Sequence, residues 1–316
     1  MKMSPPIGGL FFALFLTSMP LRHLLSTDDL TLDEIRSIIG RATQFLTPSG
    51  LVSEAVQTLS HRRFVLAFFE PSTRTRLSFE SAIQRTGASC VHFTEAGSSV
   101  EKGESLAETI RTIESMGFDA MIIRHGVNGT HADIVAHTSM TVINAGEGTL
   151  SHPTQALLDA STITERFGRI EGIKVAIIGD LLHSRVARST SSLLSRLGVD
   201  VAWCAPDTLA PLDTMFRRID DARSAMEWAD VVYVLRIQRE RIISDVVPHV
   251  DMYRQKYAIT DELARLYPEK VIMHPGPVNV GVELDAGVLD MPQCLVHRQV
   301  THGVAIRMSV LEHHCS

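Results

Sequence analysis

The densest run of anion-binding chemistry in the sequence is Glu70-Pro71-Ser72-Thr73-Arg74-Thr75-Arg76. It follows the apolar stretch 64–69 and precedes Phe79, Ala82 and Ile83 at helical spacing. A buried strand running into hydroxyls and guanidiniums at a helix start sets free N–H groups and partial positive charge beside them, which suits a phosphate or carboxylate. Ser72, Thr73 and Thr75 add hydroxyl donors, and Arg74 a two-pronged grip. Any single hydroxyl here is most simply a helix cap. Five hydroxyl or guanidinium side chains in succession, 72–76, exceed what capping needs, so an anion site is expected.

Three more arginines stand at or just beyond predicted strand ends, where side chains of a parallel sheet point into the ligand crevice. Arg124 closes the stretch 120–123, and Arg236 follows 231–235. Arg185 lies in Gly179-Asp180-Leu181-Leu182-His183-Ser184-Arg185, after the strand 174–178. That turn holds one glycine, short of the Gly-x-Gly-x-x-Gly that a dinucleotide wants, which disfavours a nicotinamide dehydrogenase. His152-Pro153-Thr154-Gln155 opens a helix, and a lone histidine there is ordinarily a cap. The stretch 98–105, with Ser98 and Lys102, reads by itself as a flexible loop with a solvated lysine. In His274-Pro275-Gly276-Pro277 the prolines fix φ and remove donors, leaving a stiff loop with exposed carbonyls.

Positioning these groups takes an alternating chain. A helix capped by Asp28 or Thr31 runs to about Thr43; strands follow at 64–69, 90–94, 120–123 and 141–144, with helices from 73, from 106 and over 153–167. A second series begins with strand 174–178, helix 185–197 and strand 199–204, continues with strands 231–235 and 271–273, and closes with a helix over about 300–312. This pattern predicts an α/β fold of two doubly wound parallel-sheet domains, divided near the helix 153–167, with the active site in the cleft between them.

The 316 residues suffice for two such domains, and 45% hydrophobic with 21% charged residues fits a soluble globular chain. A formal charge of −6 offers no basic stripe for nucleic acid. Cations at an anion site must therefore be local. Cys90, Cys204, Cys294 and Cys315 form no Cys-x-x-Cys pair, which argues against a zinc site or disulfide framework and fits a reducing cytoplasm. The apolar run 10–16 is too short to span a membrane and lacks an Ala-x-Ala cleavage end. Residues 1–18 are expected to be an extension outside the fold rather than a secretory signal, with Met19 a candidate start.

The stretch 69–80 resembles the phosphate-binding signature of the aspartate and ornithine carbamoyltransferases, and the resemblance runs from Leu21 to Leu311. It implies that Ser72, Thr73, Arg74 and Thr75 hold the phosphate of carbamoyl phosphate. Arg124 would touch both phosphate and carbonyl oxygen, His152 would bond the carbonyl, and Gln155 would hold the carbamoyl NH2. The carbonyls of Pro275 and Gly276 would accept from that amide. Arg74, Thr75, Arg124 and His152 form the implied catalytic set. L-aspartate would be taken by Arg185 at its α-carboxylate and Arg236 at its side chain, with Gln238 orienting Arg236. Ser98 and Lys102 match a loop that reaches into the neighbouring subunit's site, so a homotrimer is implied, with room for a larger assembly including regulatory or dihydroorotase chains. Residues 19–152 with the C-terminal helix 295–316 correspond to the carbamoyl-phosphate domain, 153–169 to the linking helix and 170–294 to the aspartate domain. No metal, organic cofactor, nucleic acid or membrane is implied. Ornithine enzymes carry a Cys-bearing loop in place of His-Pro-Gly-Pro and lack the Lys102 type of loop, so aspartate is favoured. Val280 departs from the Arg of many bacterial relatives. An ornithine-type enzyme and a non-catalytic assembly subunit of the same fold are the alternatives.

Overall fold

The computed structural model describes residues 23–53, 55–94, 105–237 and 250–316. Helix α1 (Leu32–Gln44) starts at Thr31, whose hydroxyl accepts from Glu34 N while the Glu34 carboxylate caps the Thr31 N–H. It buries Ile35, Ile38, Ile39 and Ala42 along one side. Strand β1 (Arg63–Phe68), helix α2 (Thr73–Arg85), strand β2 (Ser89–Phe93), helix α3 (Leu106–Ser115), strand β3 (Ala120–His125), helix α4 (Thr130–Val135) and strand β4 (Thr141–Glu147) complete the first lobe. Its four strands pair in parallel in the order β2-β1-β3-β4. Phe64 to Phe68 of β1 are all buried, as a central strand with helices on both faces requires.

Helix α5 (Pro153–Phe167) leads to the second lobe. There β5 (Lys174–Ile178), α6 (Arg185–Arg196), β6 (Asp200–Cys204), β7 (Arg217–Ile219), α7 (Ala222–Trp228), β8 (Val231–Val234), α8 (Val250–Tyr257), α9 (Asp261–Leu266) and β9 (Val271–Met273) follow in turn. The five strands are parallel, in the order β7-β6-β5-β8-β9. Helix α10 (Val296–Cys315) returns to the first lobe and packs on α1, α2 and α5. One apolar cluster runs through both lobes, from Phe64 and Ile83 to Ile177 and Ile272. A second, with Val65, Ile110 and Met121, fills the other face of the first sheet.

Both expected parallel sheets are present. The short α4, β7, α7 and α9 were not expected. Three to seven residues carry too few periods for their apolar spacing to speak. The final helix begins at Val296, earlier than the apolar spacing alone suggested and in keeping with the 295–316 helix that the resemblance implied. Helix α5 differs more. Its expected apolar face of Leu157, Ala160 and Ile163 is buried, but so is every other residue from Pro153 to Ile163. The helix lies between the lobes, so both of its sides face protein. Among the described residues no helix is long and apolar enough to cross a membrane.

Candidate active site

Strand order places the site. In an open parallel sheet the crevice forms beyond the carboxyl ends of strands where the winding reverses. In the first sheet that point lies between β1 and β3; in the second, between β5 and β8. Beyond β1 residues 70–76 run into the first turn of α2, and at the end of β3 stands Arg124. Beyond β5 the chain reaches Arg185, and beyond β8 Arg236. The two crevices face one cavity of about 1040 Å³, which Ser72, Thr73, Arg74, Thr75, Arg124 and His152 line from the first lobe and α5. Gln155, Arg185, Arg236, Pro275 and Gly276 line it as well. Ser98, Lys102 and Gln238 lie outside the described residues.

Two helices that open on this cavity start without a side-chain cap. Helices α1 and α3 begin with capping boxes, and Ser184 caps α6 by accepting from Ala187 N. Ser72 and His152 occupy the N-cap positions of α2 and α5, yet neither side chain caps its helix. The plain-cap alternatives for these two residues are therefore overturned. The start of α2 keeps first-turn N–H groups for something that enters the cavity, whereas in α5 Pro153 has no N–H and Gln155 N donates to the His152 carbonyl.

The cations are packed closely. Arg124 Nη2 lies 3.2 Å from Glu70 Oε1, and Arg185 donates to both Glu70 oxygens at 3.0 and 3.2 Å. Arg185 also donates to the Gly148 carbonyl, and Arg124 to that of Ala145. Gly146, at φ +124, makes room between them: a Cβ there would sit 2.8 Å from Arg124 Nη1 and 3.3 Å from Arg185 Cζ. Across the cleft, a Cβ on Gly276 (φ +66) would lie 3.0 Å from Arg74 Nε. Burial first, and the nearby Arg236 second, pull the Arg74 guanidinium below its ordinary pKa. Arg74 of the first lobe and Arg236 of the second thus share one electrostatic environment.

His152 is 4% exposed. Burial, then Arg124, Arg185 and Arg307, drive its pKa well below the ordinary histidine value. It is a neutral imidazole at physiological pH. Its backbone N–H donates to Ser189 Oγ of α6, while its Nδ1 has no hydrogen-bond partner. The 274–276 loop is fixed by its own histidine, because Gly276 N donates to His274 Nδ1 at 2.8 Å. His274 N donates in turn to Gln299 Oε1 of α10.

Residues that the sequence reading left unassigned complete the site. Glu70 was quoted only as part of a motif, yet it bridges two arginines from opposite lobes. Arg307 of α10 is buried beneath the cavity over the Phe79 ring, and burial lowers its pKa to about 9. Asp159 is fully buried and accepts from Gln155, Thr190, Tyr233 and Gln299. Arginine at a cavity floor carries no local sequence signal. Asp159 had one, a carboxylate four residues after Gln155, which means the same helix face. Among the described residues no group of three or more His, Cys, Asp or Glu side chains is placed to hold a metal ion.

A two-lobed α/β protein with cations from both lobes in its cleft belongs to the class that binds small polyanionic substrates. Residues 22–165 match the aspartate/ornithine carbamoyltransferase carbamoyl-P binding domain, and residues 171–314 match the Asp/Orn binding domain of the same family. The chain belongs to the aspartate/ornithine carbamoyltransferase family. It is 45% identical over 295 residues to the aspartate carbamoyltransferase catalytic subunit of Thermobifida fusca, covering 92% of this chain and 94% of that protein. Among solved structures it is similar to aspartate transcarbamoylase from Trypanosoma cruzi in complex with carbamoyl aspartate and phosphate. That match has a TM-score of 0.83 and 32% identity, over 94% of this chain and 97% of that one. The catalytic subunit of the M. jannaschii enzyme matches with a TM-score of 0.81 at 34% identity, over 92% and 97%.

Proposed function

We propose that this chain is an aspartate carbamoyltransferase, an enzyme that moves the carbamoyl group of carbamoyl phosphate to L-aspartate, giving N-carbamoyl-L-aspartate and phosphate for de novo pyrimidine biosynthesis. The observation that carries this reading is the convergence of Arg74, Thr75, Arg124, His152, Arg185 and Arg236 on one cleft. The named relatives point to the same reaction, and nothing among them favours ornithine.

Phosphate is taken by Ser72, Thr73, Arg74 and Thr75 at the start of α2, with Arg124. The first lobe, 19–152 completed by the C-terminal helix 295–316, is the carbamoyl-phosphate domain; 153–169 links it to the aspartate domain, 170–294. Arg185 takes the α-carboxylate of aspartate and Arg236 its side-chain carboxylate, oriented by Gln238. Because Glu70 already engages Arg185, the incoming carboxylate competes with an internal one.

The aspartate amine attacks the carbamoyl carbon, a C–N bond forms, and the C–O bond to phosphate breaks with its electron pair. Arg124, His152 and Thr75 donate toward the carbonyl oxygen as negative charge grows there. Gln155 and the carbonyls of Pro275 and Gly276 hold the carbamoyl amide. A neutral, weakly basic His152 is a poor proton acceptor, which supports the departing phosphate as the group that takes the amine proton. Positioning and charge stabilisation supply the rate, and no residue is needed as a nucleophile.

The working unit is a cytoplasmic homotrimer in which a neighbouring subunit lends Ser98 and Lys102 to each site. The test is a product assay with aspartate and ornithine as competing acceptors. Carbamoyl aspartate alone is expected, and turnover of ornithine alone would overturn the assignment. Arg74→Ala should lose activity while remaining folded and oligomeric. Retained activity would remove the proposed phosphate site.

A further inference from the structure

Gln155 lines the cavity, but its polarity is set from behind. An amide can offer a ligand either its oxygen or its NH2, and both have nearly the same shape. Here Gln155 Nε2 lies 3.0 Å from Asp159 Oδ1. An ionised carboxylate only accepts, so the Gln155 atom facing it must be the nitrogen. The amide oxygen is left for the cavity.

The other contacts of Asp159 hold this arrangement in place. Its Oδ1 also accepts from Gln299 Nε2 at 2.8 Å, and its Oδ2 from Thr190 Oγ1 at 3.1 Å and Tyr233 OH at 2.8 Å. Four donors from α5, α6, β8 and α10 thus surround one carboxyl that is 0% exposed. The Gln299 amide is fixed by the same logic. Its nitrogen is spent on Asp159, so its oxygen accepts from His274 N and anchors the loop that carries Pro275 and Gly276. Burial raises the carboxyl to about 7 against the pull of all four hydrogen bonds. The Thr190 and Tyr233 hydroxyls on Oδ2 can accept as well as donate, so a proton taken there still leaves Oδ1 accepting from both amides.

We propose that Asp159 is a positioning residue that fixes the polarity of the Gln155 amide, so that an oxygen acceptor faces the amino group of the carbamoyl donor and the site selects a carbamoyl over an acyl phosphate. This rests on carbamoyl phosphate being the donor. A hub that merely tied four elements together would affect every donor equally; a hub that sets amide polarity affects only donors with an NH2. Asp159→Leu removes the acceptor at Oδ1 that holds the Gln155 nitrogen, at nearly the same side-chain size. The Gln155 amide is then free to turn, and it no longer holds its oxygen toward the substrate NH2.

The probe is acetyl phosphate, in which methyl replaces that amino group. The KM for carbamoyl phosphate at saturating aspartate, and the Ki of acetyl phosphate as a competitive inhibitor, are measured in the whole enzyme. In Asp159→Leu the ratio Ki/KM is expected to fall about tenfold, the order of one lost hydrogen bond, through a rise in the carbamoyl phosphate KM. The acetyl phosphate Ki should stay within about twofold. Tyr233→Phe, which removes one donor and leaves the carboxylate, should keep the wild-type ratio. Parallel losses for both ligands, an unchanged ratio in Asp159→Leu, or an equal fall in Tyr233→Phe would each overturn the proposal. Should Asp159→Leu not fold, exchange of the Gln155 side-chain amide protons in the wild-type protein decides. Slow exchange with and without carbamoyl phosphate supports the proposal, and exchange as fast as a solvent-facing amide overturns it. If the wild-type enzyme formed no carbamoyl aspartate, the donor assignment itself would have failed, which is a separate result.

Discussion

His152 shows how one buried side chain takes its chemistry from its surroundings. Enclosed by protein and ringed by Arg124, Arg185 and Arg307, it cannot hold a proton at neutral pH, so it serves as a neutral donor. His152→Asn should lower kcat by about 10²- to 10³-fold, the usual cost of one donor to a developing oxyanion. The stability consequence has a defined sign. The folded pKa lies below the ordinary value near 6.5, so the unfolded chain binds a proton that the folded chain refuses. This histidine's contribution is therefore complete above about pH 6.5 and is lost as pH falls below it. Urea unfolding at a series of pH values should show that part of the acid slope in the wild type and lack it in His152→Asn. The arginines of the site were readable because they stand at or beyond strand ends, a local signal. Glu70 was not, because its partners Arg124 and Arg185 are remote in sequence and only the approach of the two lobes gives it a task. Arg307 sits in a helix whose sequence does not show which face lies under the cavity.

Helices α5 and α10 form the support on which the site is built. They are clasped by Glu165, which pairs with Arg298 and with His302 Nε2 at 2.9 Å, while Arg298 also donates to the Gly50 carbonyl. His302 Nδ1 meets Ser161 Oγ at 2.8 Å. The hydrogen bond from Arg298 is the largest influence on Glu165 and holds its carboxyl at about 2. A depressed carboxylate adds stability above its unfolded pKa near 4.5 and loses it as pH falls toward 2. The Tm of Glu165→Gln should therefore lie below that of the wild type at neutral pH, and the gap should narrow below about pH 4.5. A constant gap across that range would mean that the ion pair does not carry the effect. At this scale the long elements were legible from their periods, whereas the all-round burial of α5 was not. A helix set between two lobes needs no polar face, and its polar residues Thr154, Gln155, Asp159 and Thr162 read as one.

At the scale of the molecule, each cleft gathers side chains from two lobes and, in the proposed trimer, from a neighbour. Mixing inactive Arg74→Ala and Lys102→Ala proteins under conditions that exchange subunits should then restore activity that neither has alone. Sites at some interfaces would combine an intact Arg74 with an intact Lys102. No recovery after demonstrated exchange would place Lys102 outside its neighbour's site. The division into two parallel sheets, with a cleft between them, was visible in the alternation of strands and helices, but the packing of α10 on α1, α2 and α5 was not, because contacts between elements remote in sequence leave no local period.

That return path also orders events during synthesis. The twenty residues of α10 supply Gln299 and Arg307 to the floor of the cleft and pack on α1, α2 and α5. A nascent chain leaves the ribosome amino end first, so the lobe made earliest must wait, its apolar flank uncovered, until α10 has been made. Closure cannot precede the synthesis of α10, and a chain truncated before Val296 would be a target for chaperones rather than a smaller enzyme.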